Sequence, residues 1–153
     1  MKKIFISFLY IGLFFMLNSG LSSQEKTGSL IIKLTDFNNN KGKAMALLND
    51  TKENFDKSEA AFRSAKVEIK DNKAEIVFKD IPLGTYAIMA FHDENDNGKF
   101  DTGMFGIPKE PYGISNNAIE KFGPPKWENA KFSFGKAEDV IEIIVKYHMD
   151  HFK

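Results

Sequence analysis

The run Asp80-Ile81-Pro82-Leu83-Gly84-Thr85-Tyr86-Ala87-Ile88-Met89-Ala90-Phe91 decides the fold. Pro82 and Gly84 mark a turn, since proline presets φ and glycine tolerates conformations that a Cβ forbids. Beyond it, Tyr86, Ile88 and Ala90 fall on one side of an extended chain, and Ala87, Met89 and Phe91 on the other. A strand that is apolar on both faces has to be covered on both. Residues 85–91 are therefore expected as a central strand with material packed above and below it.

The flanks repeat the two-residue period. Upstream, Ala65, Val67 and Ile69 alternate with Lys66, Glu68 and Lys70; Asp71-Asn72 supplies a turn, and Ala74, Ile76 and Phe78 follow. This pattern predicts a β-hairpin with one wet face. Leu30, Ile32 and Leu34 form an earlier strand, and residues 43–48 another after the turn signal Asn38-Asn39-Asn40-Lys41-Gly42. Residues 51–64 read as a long connection in which Thr51 can cap a short helical turn. Downstream, Ala130, Phe132 and Phe134 alternate, as do Ile141, Ile143, Val145 and Tyr147, across a Gly135-Lys136 turn. Between these and the central strand lie residues 102–129, which have no period and many glycines and prolines. Their apolar residues, among them Met104, Phe105, Ile107, Tyr112, Phe122 and Trp127, are expected to anchor this excursion on the sheets, the alternative being that Phe105, Tyr112, Phe122 and Trp127 line a ligand cleft. The whole predicts an all-β, antiparallel Greek-key β-sandwich of about seven strands, with one long ordered loop before the last two.

The N-terminus points to export. Lys2 and Lys3 precede an apolar run over residues 4–17, and small or polar residues follow to Ser23. This is the plan of a signal peptide, 1–23, removed from a single domain, 24–153. The run is shorter than the ~20 residues that cross a bilayer, so no membrane span is expected after cleavage. There is no cysteine, so neither disulfides nor a lipid-modified cysteine contribute. Of 21 basic residues, removing Lys2 and Lys3 leaves 19 against 21 acidic ones, a net charge of −2. Without a basic patch the chain lacks the footprint of a nucleic-acid binder.

The segment leaving the central strand is His92-Asp93-Glu94-Asn95-Asp96-Asn97-Gly98-Lys99-Phe100-Asp101. It sets side-chain oxygens at Asp93, Asn95, Asn97 and Asp101 around Gly98, with the Lys99 carbonyl available between. That spacing suits calcium, a hard cation taking oxygen ligands from a short loop. The position where an EF-hand places a closing glutamate holds Met104, and Glu110 is a candidate replacement from the following loop. The competing expectation is an Asx-rich turn whose side chains bond to local amides. A site without its closing acid is expected to be weak, in the range of extracellular modules.

Two motifs carry a resemblance. Ile81-Pro82-Leu83-Gly84-Thr85-Tyr86 resembles the turn of transthyretin-like modules, in which the tyrosine enters the core. Combined with residues 92–101, Gly106-Ile107-Pro108-Lys109-Glu110-Pro111-Tyr112-Gly113, Ser115-Asn116-Asn117 and Phe122-Gly123-Pro124-Pro125, the chain resembles an exported bacterial family catalogued as domain of unknown function 2141. The resemblance implies an extracytoplasmic sandwich of transthyretin/immunoglobulin-like form, and no established activity. The purine-pathway hydrolase of the transthyretin-like group uses histidines, an arginine and a Tyr-Arg-Gly-Ser terminus. This chain has one arginine, Arg63, and ends His148-Met149-Asp150-His151-Phe152-Lys153, so that activity does not carry over.

Three functions remain open on these residues. The first is a non-enzymatic exported module, periplasmic or extracellular, binding a small-molecule, glycan or protein partner, with a weak calcium site at Asp93, Asn95, Asn97, Lys99 and Asp101. The second is a structural envelope subunit in which the loop serves stability alone. The third is a metal-assisted enzyme using His92, Asp93 or Glu110. His148 and His151 would hold zinc only with further ligands, and Ser115 lacks the second glycine of a nucleophile elbow.

Overall fold

Leu30, Ile32 and Leu34 on one strand and Ile76, Phe78 and Ile81 on its neighbour are all buried, which places the inner face of one sheet. A computed structural model describes residues 26–57 and 60–153; the predicted signal peptide lies outside the described residues. Eight strands run in order: β1 (Thr27–Thr35), β2 (Lys43–Asn49), β3 (Arg63–Val67), β4 (Ala74–Pro82), β5 (Gly84–Asp93), β6 (Tyr112–Ile114), β7 (Phe132–Phe134) and β8 (Glu138–Ile144). Two short helices, α1 (Lys52–Asp56) and α2 (Trp127–Ala130), sit in the connections. Thr51 caps α1 as expected, its Oγ1 accepting the Asn54 N–H at 3.2 Å.

One sheet has the order β4-β1-β8 and the other β3-β2-β5-β6, with β7 also on β5. The all-β, sandwich-like expectation holds. β5 is central: β2 pairs along one edge, while β7 (at Gly84–Tyr86) and β6 (at Met89–Phe91) lie end to end on the other. Its Tyr86, Ile88 and Ala90 join the core between the sheets. Its Ala87 and Phe91 join a second cluster with Met45, Leu47, Tyr112, Ile114 and Trp127 on the outer face. Burying each such large side chain stabilises by about 1.5–3 kcal/mol, so the excursion between β5 and β7 forms a real second layer.

Two features differ from the sequence expectation. β1 and β8 run parallel, with Ile32 opposite Ile141 and Leu34 opposite Ile143, so the sandwich is not purely antiparallel. Residues 65–79 do not make a hairpin. Asp71 and Asn72, at φ 50° and 57°, form the tight turn, and Lys70 and Lys73 exchange both backbone bonds. Beyond that single bridge β3 pairs with β2 and β4 with β1, so the turn is a corner between sheets. The opposite flank is closed by Tyr112 and Lys146, which also exchange two backbone bonds. There Gly113 lies against β8, where an added Cβ would sit 2.3 Å from the Ile144 carbonyl oxygen.

The turn before β5 is fixed by its tyrosine. Tyr86 donates its hydroxyl proton to the Pro82 carbonyl at 2.8 Å. Leu83 donates its N–H to the Lys26 carbonyl at 2.9 Å.

Candidate functional site

β5 ends on Asp93, which is fully buried. Buried carboxylates have to be satisfied, and here backbone amides do it. Asp93 Oδ1 accepts the Asn97 N–H at 3.0 Å and Oδ2 the Gly98 N–H at 2.8 Å. Such double acceptance bends the chain back on itself, with Asp96 and Gly98 at φ 54° and 75°. Asn95 Oδ1 accepts the Asn97 N–H at 3.1 Å, and Asn97 Oδ1 accepts the Lys99 N–H at 2.8 Å. The two asparagine amides donate to Asp101, Asn95 at 2.7 Å and Asn97 at 3.1 Å to the same Oδ2. The loop therefore brings Asp93, Asn95, Asn97 and Asp101 together through an Asx lattice. Lys99 enters through its N–H. Among the described residues, no group of three or more His, Asp or Glu side chains is arranged to hold a metal ion.

Glu110, predicted as a contributor from the next loop, reaches this segment and closes it at both ends. Its Oε1 accepts the Glu94 N–H at 3.1 Å and its Oε2 the Asp101 N–H at 3.0 Å. Burial pushes its carboxyl pKa up, the two amides oppose that, and the neighbouring Asp101 and Asp93 charges add to the rise. The clamp also sets the base of the next segment. Lys109 donates its N–H to the Asp101 carbonyl at 3.0 Å, Thr102 bridges Pro108, and Gly103 donates to the Ile107 carbonyl at 2.7 Å. Residues 102–108 are thus a small hairpin standing on the clamped loop.

The groups weighed for catalysis are sequestered. His92 is fully buried, and its Nε2–H donates to the Lys41 carbonyl at 2.6 Å. Its Nδ1 has no hydrogen-bond partner and faces Glu94 Oε1 at 3.9 Å. Glu94 in turn accepts the Tyr147 hydroxyl at 2.9 Å. Ser115 is fully buried, donating to the Ala130 carbonyl at 2.6 Å and accepting the Ile88 N–H at 3.0 Å, so it ties the outer layer to β5. His148 and His151 pin the C-terminal turn on Tyr112. His148 Nε2–H donates to the Lys121 carbonyl at 3.2 Å and Nδ1 accepts the Tyr112 hydroxyl at 2.8 Å, while His151 Nε2–H donates to the Tyr112 carbonyl at 2.8 Å. Burial raises the Tyr112 pKa to about 12.

The aromatic residues of the excursion divide. Tyr112 and Trp127 anchor it as expected. Phe105 and Phe122 do not: they are 95% and 87% exposed, and Met104 and Ile107 are 77% and 59% exposed. Phe105 occupies the hairpin tip at φ 60° followed by Gly106 at 72°. Tyr112 relates these groups to one another. Its ring lies 5.6 Å from Phe100 at the hairpin foot and 6.1 Å from His148, which bonds next to Phe122. The exposed Met149 adjoins His148. Met104, Phe105 and Ile107 thus stand exposed together on the one hairpin.

A family model described as "Uncharacterized protein conserved in bacteria (DUF2141)" matches residues 32–142, well over half of the chain. The chain belongs to the DUF2141 family. No curated protein and no solved structure gives a significant match. The DUF2141 match runs from β1 into β8 and encloses the 93–101 loop, Glu110, the hairpin and Phe122. The His148–Phe152 turn packed on Tyr112 lies beyond it. Within the matched region, sequence reasoning missed the exposure of the hairpin tip. The available signal was Phe105-Gly106, since a residue beside glycine at a turn tip has little to pack on.

Proposed function

We propose that this DUF2141 protein is a non-enzymatic, exported interaction module that engages its partner through the end bearing residues 93–110. One observation carries this reading: Met104, Phe105 and Ile107 stand exposed on a hairpin whose base is fixed by the Glu110 clamp. Exposed apolar side chains on a rigid support are what an interface needs, because little ordering entropy opposes docking. The burial of His92 and Ser115 supports a non-enzymatic role, since neither group meets solvent. The N-terminal pattern of residues 1–23 supports export. A photo-cross-linking residue at position 105, compared with one at exposed Val77 on the opposite sheet, tests the proposal in intact bacteria. Adducts specific to position 105 are expected, and their absence there would overturn it.

A second reading adds calcium to the 93–101 loop. Its support is the convergence of the Asn95 and Asn97 side chains on Asp101 beside the Asp93 turn. Under that reading the ion replaces the Asx lattice and stiffens the hairpin base. A rise in melting temperature on adding calcium tests it.

A further inference from the structure

We propose that His92 Nδ1 and the Glu94 carboxylate form a binding site for a divalent transition ion of the zinc class. This site goes beyond the interaction reading and does not depend on it. The tautomer is the first argument. His92 Nε2 lies 2.6 Å from the Lys41 carbonyl, which only accepts, so the Nε2 proton is fixed there. In the neutral ring Nδ1 then carries a lone pair. That atom is buried, has no hydrogen-bond partner among the described residues, and faces Glu94 Oε1 at 3.9 Å. Two acceptors do not hold each other, whereas a cation between them makes the arrangement favourable. A backbone carbonyl behind the imidazole is also how proteins orient a metal-bound histidine.

Reach and charge are the second argument. Zinc bonds to imidazole nitrogen and carboxylate oxygen are each about 2.0–2.2 Å long, so donors 3.9 Å apart can share one ion. His92 is fixed, between the Lys41 carbonyl and the Phe37 ring at 5.3 Å. Glu94 is the adjustable ligand: its side chain is 31% exposed, which gives an ion its way in and lets water complete the shell. Tyr147 donates to the Glu94 carboxylate, at 2.9 Å to Oε2 and 3.2 Å to Oε1, and steadies it beside the imidazole. Residues 93–110 carry five carboxylates, Asp93, Glu94, Asp96, Asp101 and Glu110, against two lysines, Lys99 and Lys109. Their net charge of −3 draws cations to this end. The nitrogen donor selects among them, since calcium and magnesium take oxygen ligands and imidazole suits zinc or copper. The site shares no donor with the calcium reading of Asp93, Asn95, Asn97, Lys99 and Asp101.

The test uses the exported, processed protein and zinc ions alone, read by nitrogen NMR of the three histidine rings. Zinc is expected to move the His92 Nδ1 resonance out of the range of a free lone-pair nitrogen, while Nε2 keeps its proton. Glu94→Gln should weaken this titration roughly tenfold or more, and Tyr147→Phe by a smaller factor. Asp101→Asn should change it little, because only the calcium reading uses that carboxylate. His92→Gln removes the site outright. Since replacing a buried ring can also unfold the chain, the partly exposed Glu94 keeps the test decisive. A titration that spares His92 and moves only His148 or His151, or one that keeps its affinity in Glu94→Gln, would overturn the proposal. So would a His92 ring whose Nδ1 is protonated at neutral pH and stays so in excess zinc, because the proton would then fill the gap.

Discussion

The Glu110 carboxylate accepts the Asp101 backbone N–H at 3.0 Å, and this contact joins the 93–101 loop to the hairpin that carries Phe105. Because the other Glu110 oxygen holds Glu94, one buried side chain fixes both ends of the eight-residue stretch from Glu94 to Asp101. Glu110→Ala leaves two partly buried amides without their acceptors. We expect a loss of about 1–3 kcal/mol in unfolding free energy. Hydrogen exchange at Glu94 and Asp101 should accelerate selectively, with amides of β1 and β2 following only the global change.

The same residue gives a pH signature of definite sign. Burial raises the Glu110 pKa in the folded protein above the value of about 4.5 in the open chain. The folded state therefore holds the proton more tightly, and its advantage from this group is fully present below the unfolded pKa. That advantage is lost as pH rises through the folded pKa. The wild-type stability minus that of Glu110→Gln should become less favourable as pH rises across this window. A difference that grows with pH would contradict the burial argument.

The calcium reading predicts a thermal shift. With a dissociation constant near 1 mM, typical of extracellular modules, ~10 mM calcium would stabilise by about 1.4 kcal/mol, or roughly 4 °C. Asp93→Asn and Asp101→Asn should each abolish the shift. An unchanged melting temperature at that concentration would leave the loop as an Asx turn serving stability.

Gly113 tests how the sandwich is closed. A methyl there would meet the Ile144 carbonyl oxygen at 2.3 Å and Ile143 Cγ2 at 2.5 Å, on the flank where β8 reaches β6. Gly113→Ala should cost about 1–3 kcal/mol as the backbones separate. Gly98 offers the contrast. Its φ of 75° disfavours a side chain, but an added Cβ has nothing within 4 Å, so Gly98→Ala should cost only about 1 kcal/mol of backbone strain. Denaturant midpoints of the two variants measure the ordering.

Much of this architecture was legible because alternation reports burial directly. The two-sided pattern of residues 85–91 led to a central strand, and Tyr86 did enter the core. Alternation does not report partners. Ala65 and Val67 look like one arm of a hairpin with Ala74 and Ile76, yet they pair with β2, since the corner at Asp71-Asn72 allows the strands to diverge. The parallel β1–β8 pair was invisible for the same reason: strand order depends on the whole chain. At the candidate site, the convergence of Asp93, Asn95, Asn97 and Asp101 was legible from spacing, because short Asx side chains can reach only nearby groups. The exposure of Phe105 and Phe122 was not, since a segment without period gives no face on which to place a ring.

Phe105 also makes a prediction about cost. A phenylalanine at φ 60° is strained, by roughly 1–2 kcal/mol relative to an ordinary extended residue. Its ring recovers nothing from packing, being 95% exposed. Glycine or asparagine would relieve the strain, although glycine gives back about 0.5–1 kcal/mol through the entropy of the unfolded chain. Phe105→Asn should therefore hold or raise the melting temperature, whereas Phe91→Ala, in the outer-layer core, should cost about 3–5 kcal/mol. If Phe105→Asn also abolishes position-specific docking, the strained ring is retained for contact at the expense of stability. A fall in melting temperature comparable with that of Phe91→Ala would instead make Phe105 a packing residue and remove the basis of the docking proposal.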